Sequence, residues 1–204
     1  MRPLCTSRPL IRLCGSLGIH YVDRGKESCK WSTVYCAKHC YYRKFLRYPQ
    51  MKGYLQRASF AWEYIEPSHL LNISRLRLCK VGDPFTNEYD INRIKALAQA
   101  APNTLIWAPT RAWRSPILRE LLKPSSLPIN LKVLASIDPS NTTEEVKSLQ
   151  QDGWSTMFFG DDIRHPTGKS YKCPKTWQKI HKFCSRCTNG CFKNERVDVW
   201  LRKH

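Results

Sequence analysis

From residue 75 to residue 159, short apolar runs alternate with longer stretches whose apolar positions recur every three or four residues. Arg75-Leu76-Arg77-Leu78-Cys79-Lys80-Val81 reads as a strand, and Gly82-Asp83-Pro84 breaks it. Glu88 to Ala101 then sets Ile91, Ile94, Leu97 and Ala98 on one face, the spacing of an amphipathic helix, and Pro102-Asn103 ends it. Thr104 to Ala108 is a second strand, and Pro116 to Lys123 a second helix. Leu131 to Ala135 is a third strand, closed by Asp138-Pro139-Ser140. The helix after it, Thr142 to Gln151, carries Glu144 and Glu145 in its first turn, where the helix dipole is positive. Gly153 ends that helix, and Trp154 to Phe159 is a fourth strand.

The strands start near residues 75, 104, 131 and 154, the period of a βα unit, so the fold class expected is α/β with a parallel sheet. Their continuous apolar character agrees with burial on both faces. We expect a partial βα barrel, with an open doubly wound sheet as the alternative, and a small Cys-rich tail. Gly18 to Val22 and Ala58 to Ile65 are weaker strand candidates. In either architecture ligands meet the carboxyl ends of the strands. That puts Gly82-Asp83-Pro84, Pro109-Thr110-Arg111, Ser136-Ile137-Asp138 and Gly160-Asp161-Asp162 on one rim.

At 42% hydrophobic in 204 residues, the chain has enough apolar material for a core. No apolar stretch approaches the ~18 residues of a membrane span. Arg2, Arg8 and Arg12 resemble a signal n-region, but no clean apolar segment and cleavage site follow, so a cytoplasmic protein is expected. The net charge is +18 and unevenly spread. Residues 1–80 hold 15 Lys and Arg against 4 Asp and Glu, residues 81–165 hold 9 against 10, and residues 166–204 hold 10 against 2. Basic ends around a neutral middle suit neighbouring thiolates or a nucleic-acid backbone. The domains expected are a basic N-terminal segment 1–28, a βα core 29–165 that begins at a three-Cys motif, and a basic Cys-rich metal-binding tail 166–204.

All ten cysteines lie in the basic ends. Cys29, Cys36 and Cys40 follow a C-x6-C-x3-C spacing, and three soft thiolates in so short a stretch suit one metal centre. Three cysteines around a [4Fe–4S] cluster leave one iron open. A structural zinc is the alternative, with His39 as a fourth ligand. Cys173, Cys184, Cys187 and Cys191, with Gly190 in the turn, form a four-thiol set for zinc or a second cluster. His181 is a possible substitute ligand there. Such a tail has little apolar material and gains from a metal staple. Cys79 reads as a small core residue, and Cys5 and Cys14 join neither set.

The motif Cys29-x6-Cys36-x3-Cys40-Tyr41, the strand and turn Arg77 to Asp83, Trp107-Ala108-Pro109-Thr110-Arg111-Ala112-Trp113, Ser136-Ile137-Asp138 and the Cys-rich end together resemble the phage-borne gene product 88 domain family, over about residues 29 to 192. The layout is similar to that of radical S-adenosylmethionine enzymes, although their usual spacing is C-x3-C-x2-C. The resemblance implies that Cys29, Cys36 and Cys40 hold a [4Fe–4S] cluster and that Gly82, Asp83 and Pro84 form the turn for the methionine amino group. It also makes Cys173, Cys184, Cys187 and Cys191 an auxiliary cluster site. It leads one to expect a His where this chain has Cys79.

Two functions are therefore expected. The first is an iron–sulfur enzyme that cleaves S-adenosylmethionine reductively, needs an electron donor and acts on a nucleic acid or nucleotide. In it Asp83 and Arg111 contact the methionine moiety, while Ser136, Asp138, Asp161 and Asp162 are rim residues for adenosine or substrate. The second is a nucleic-acid-binding protein with structural zinc. It would stack bases on Trp31, Tyr35, Tyr41, Tyr42 and Tyr48 among Lys30, Lys38, Arg43, Lys44 and Arg47. Neither a phosphate-cradling GxxxxGK[ST] nor a GxSxG nucleophile turn occurs, and His20, His69 and His165 are isolated.

Overall fold

The computed structural model describes residues 11–14, 18–40, 42–45, 48–160, 171–177, 184–187, 191–192 and 195–202. Cys5, Tyr41, Arg47, Asp161, Asp162, His165, His181 and Gly190 lie outside these residues, as do the side chains of Cys14 and Lys44. Eight strands are described: β1 (Arg12–Cys14), β2 (Ile19–Val22), β3 (Arg75–Leu78), β4 (Leu105–Thr110), β5 (Leu131–Ile137), β6 (Ser155–Phe159), β7 (Tyr171–Lys172) and β8 (Asp198–Leu201). They form one sheet in the order β1-β2-β3-β4-β5-β6-β8-β7. β1 pairs antiparallel with β2, and every other pairing is parallel. The fold is α/β, and its sheet draws strands from the basic N-terminal segment, the middle and the tail.

From β2 to β6 the spatial order of the strands follows the chain order without reversal. Right-handed crossovers then place every connecting helix on the same face. A doubly wound sheet needs a reversal to cover both faces. The core shows the consequence. Ile91, Ile94, Leu97 and Ala98 of α4 (Glu88–Ala100), Leu118 of α5 (Pro116–Leu121), and Val146 and Leu149 of α6 (Thr143–Gln151) share one cluster with Leu76, Leu78, Ile106, Val133, Ile137 and Phe158 of the sheet. The opposite, inner face gathers Ile19, Trp107, Leu134, Met157 and Val199, and Cys173, Cys184, Cys191 and Phe192 of the tail pack on it.

The local sequence explains the helix boundaries. Asn87 accepts from the Asp90 amide at the start of α4, and Ser115 precedes Pro116 at the start of α5. Thr142 and Glu145 form a reciprocal capping box on α6. Upstream lie α1 (Val34–Lys38), α2 (Tyr42–Phe45) and α3 (Pro49–Glu63), and α7 (Pro174–Trp177) lies in the tail. The weaker strand candidate at residues 58–65 is corrected here, because most of it is the end of α3. Its buried residues Ala58, Ala61, Trp62 and Ile65 fall three, one and three apart, which suits a helix face and not a strand. The candidate at residues 18–22 is β2, the first parallel strand.

Candidate metal and cofactor site

A cavity of about 200 Å³ opens at the carboxyl ends of the parallel strands. Cys29, Cys36, His39 and Cys40 line it from the segment after β2, and Cys79 to Asp83 from the turn after β3. Pro109, Thr110 and Arg111 line it from β4, Ser136 from β5, and Met157 and Phe159 from β6. The convergence expected of the strand-end turns is thus met by three of them. Of the fourth, Gly160 is buried and its amide donates to the Leu201 carbonyl.

Two clamps fix the cysteine segment to the sheet. Ser28, just before Cys29, accepts from the Asp83 amide at 2.8 Å and donates to the Gly25 carbonyl at 2.7 Å. Thr33 caps α1 by accepting from the Cys36 amide at 2.9 Å and donates to Asp138 at 2.5 Å. Asp138 in turn takes the Arg111 guanidinium at 2.8 Å, and both side chains are buried. Asp83 accepts from Thr110 at 2.6 Å, from the Arg111 amide at 2.8 Å and from the Phe85 amide at 3.0 Å. One buried network therefore runs through the ends of β3, β4 and β5 to the residues flanking Cys29 and Cys36. Asp83 and Asp138 are positioning residues in it, since their carboxylates are committed inside.

The network separates its two acids. Burial pushes the Asp83 carboxyl up to about 6, against the hydrogen bonds from Thr110, Arg111 and Phe85. Burial acts on Asp138 too, but the Arg111 charge and the bonds from Ser140 and Thr33 outweigh it and hold the carboxyl below its usual range. Arg111 keeps one surplus. Among the described residues its Nη1 has no hydrogen-bond partner, and it is sealed from solvent in a side chain that lines the cavity. A buried donor of this kind is rare and costly unless a ligand meets it.

The three motif cysteines share one electrostatic neighbourhood. Burial, then Asp83, Cys36 and Cys40, push the Cys29 thiol up to about 12. Thiols crowded like this repel one another when ionised, and a bound cation removes the repulsion. Among the described residues no three His, Cys, Asp or Glu side chains close to the spacing of a single-ion site. The tail repeats the pattern, for burial, then Cys173, Cys187 and Cys184, push the Cys191 thiol to about 12 while Arg77 pulls it down. Arg75 binds this tail to the sheet, donating to the carbonyls of Cys184 at 2.5 Å and Cys187 at 3.2 Å.

Three participants escape a reading of the sequence. Ser28 and Thr33 look like ordinary loop residues, although Thr33 before Val34 is a helix-cap signal. Cys79 is buried in the core as expected, yet it also lines the cavity, at φ +54°. Hydrogen bonds from its own amide to the Val22 carbonyl, and from the Lys80 and Val81 amides to Asp23, hold it in that left-handed conformation. His39 lines the cavity and stacks on Tyr35 at 4.4 Å.

No curated protein and no solved structure matches the chain. The gene product 88 family model does, over residues 8–189, which span the Cys29–Cys40 segment, the whole strand-end network and three of the four tail cysteines, so the chain belongs to the gene product 88 family.

Proposed function

We propose that this chain is an iron–sulfur protein with the layout of a radical S-adenosylmethionine enzyme, acting on a nucleotide or nucleic acid, and that its sheet is a partial βα barrel. One observation carries the reading. The three-cysteine segment after the first parallel strand and the Gly82-Asp83 turn after the second open into a single cavity, beside the Arg111 Nη1 that has no partner among the described residues. Cys29, Cys36 and Cys40 would hold a [4Fe–4S] cluster, which brings its own sulfides and accepts thiolates spread around it. The chemistry such a cluster supplies is one-electron cleavage of the sulfonium carbon–sulfur bond of S-adenosylmethionine, with the electron coming from an external donor.

This chain's residues then have separate tasks. Arg111 Nη1 donates to the methionine carboxylate, and because the Asp83 carboxylate is occupied, the backbone of the Gly82-Asp83 turn receives the amino group. Ser136 faces the adenosine side of the cavity. Asp138 and Thr33 keep Arg111 and α1 in place. The four tail thiols would hold a second cluster or a zinc. The alternative of a nucleic-acid-binding protein with structural zinc keeps its basic ends but loses much of its stacking surface. Tyr42 is buried, Trp31 packs on the core, and Tyr35 lies against His39 and Phe159.

The test is iron, zinc and sulfide per chain on protein purified without oxygen, followed by calorimetry with S-adenosylmethionine on reconstituted protein. About four irons and four sulfides per filled site and a broad visible absorption are expected, with Cys36→Ala losing the cavity share. Zinc without sulfide, or no S-adenosylmethionine binding by the reconstituted protein, would sink the enzyme.

A further inference from the structure

On β3, Arg75 and Arg77 share one face roughly 6–7 Å apart, and Cys79 follows the strand in the turn that lines the cavity. Arg75 ends on the tail carbonyls, and Cys79 lines the cavity beside the metal-site cysteines. Arg77 lies between them. It lines the same cavity, its guanidinium lies 4.7 Å from the Trp107 ring centroid, and it is only partly exposed. Among the described residues its Nε is sealed from solvent without an acceptor, and its charge acts on the Cys191 thiol of the tail. Its stacking partner Trp107 is 6% exposed and backs the guanidinium. A guanidinium with a sealed donor in a cavity wall is a site that an oxyanion would complete.

We propose that Arg77 receives the terminal phosphate monoester of a small substrate that enters the cavity end-on. The floor sets the terminal requirement. Among the described residues the tail backs the face below Arg77, with Phe192 on Trp107 at 5.7 Å between centroids and Cys191 packed in the same cluster. A polymer bound through an internal phosphodiester would have to leave again through that floor, whereas an end group need not. Arg111 serves a different anion, the methionine carboxylate, so the cavity holds two guanidiniums for two negative ligands. The inference rests on the proposed function in taking the substrate to be a nucleotide and Arg111 to be occupied by the methionine carboxylate. It narrows that class from nucleic-acid strands to monomers or chain ends.

The experiment is calorimetry of the reconstituted full-length protein at physiological ionic strength with adenosine monophosphate, adenosine, and the dinucleoside ApA, which carries only an internal phosphodiester. Adenosine monophosphate should bind at least about tenfold tighter than the other two, as a charge-assisted contact to a guanidinium implies. Arg77→Gln should erase that preference while metal and sulfide contents stay at wild-type levels, and Arg77→Lys should restore part of it. Equal affinity for all three ligands in the wild type overturns the proposal, as does a phosphate preference that survives in Arg77→Gln. Equal affinities in the wild type overturn the proposal even if the variant does not fold. Phosphate discrimination without S-adenosylmethionine cleavage would remove the enzyme reading and keep this site; the reverse would remove this site alone.

Discussion

At Gly82 the backbone runs at φ +83°, and a Cβ there would stand 2.7 Å from both the Arg24 carbonyl oxygen and Ser28 Oγ. Neither neighbour is free to move, since Ser28 is bonded on both sides and the Arg24 amide donates to the Val81 carbonyl. Gly153 has the same φ of +83° but nothing within 4 Å of its would-be Cβ. Gly153→Ala should therefore cost only the backbone term, about 1 kcal/mol. Gly82→Ala should add overpacking of about 1–3 kcal/mol. Urea midpoints of the two variants measure the difference, and equal losses would mean the Ser28 clamp is soft. The same clamp precedes Cys29, so Gly82→Ala should also lower iron uptake, which Gly153→Ala leaves unchanged. Gly82-Asp83 is legible in the sequence as a turn. That the Asp83 carboxylate is spent inside the network is not, because its partners Thr110 and Arg111 lie 27 and 28 residues away.

Helix α4 shows how an element is tied to the site from behind. Asp90, in its first turn, accepts from Arg24 at 2.7 Å and from the Thr86 amide and hydroxyl at 2.8 and 2.6 Å. Burial pushes its carboxyl up, but these bonds prevail and hold it below the ordinary range. A depressed carboxylate contributes its stability above the unfolded pKa, near 4, and loses it as pH falls through the lower folded value. Asp90→Asn should cost about 1–3 kcal/mol at pH 7, and the gap from wild type should shrink below about pH 4. Denaturant titrations at pH 7 and pH 3 check this, and a gap independent of pH would deny the charge its role. On the other side, Thr33→Val removes the α1 cap, at about 1 kcal/mol, and leaves Asp138 a partner short. Its reconstituted iron content should fall and that of Thr33→Ser should not.

At the scale of elements, β3 to β6 and α4 to α6 are legible because they alternate at the period of a βα unit and are bounded by Gly, Pro or a cap. The short strands β1, β7 and β8 show no such period, and non-local pairing defines them. In α3 the apolar face is visible only when Ala58, Ala61, Trp62 and Ile65 are taken together with the helix that begins at Pro49.

For the whole molecule, the tail acts as the floor of the inner face. Lys132 on β5 donates to the Glu195 carbonyl at 2.6 Å, Arg75 holds the Cys184 and Cys187 carbonyls, and β8 joins the sheet beside β6. If a metal staples the four tail thiols, stripping it should raise hydrogen exchange in β7 and β8 and at Trp107 while leaving β4 and β5 otherwise protected. Exchange that rises evenly through the sheet would make the tail an integral part of one cooperative unit, and no change at all would leave the thiols without a metal.

The order of hydrophobic periods was enough to specify an α/β chain with parallel strands, because period and boundary are local properties of the backbone. Spacing alone grouped the cysteines into a three and a four, since thiols from one short segment are necessarily near in space. Tertiary packing settled the rest. The unreversed strand order put the helices on one face, left the other to the tail, and brought Cys79, Arg77 and Arg111 to one cavity from positions 32 to 34 residues apart or closer. Which buried donors lack acceptors depends on every neighbour in three dimensions, and no local pattern of residues encodes it.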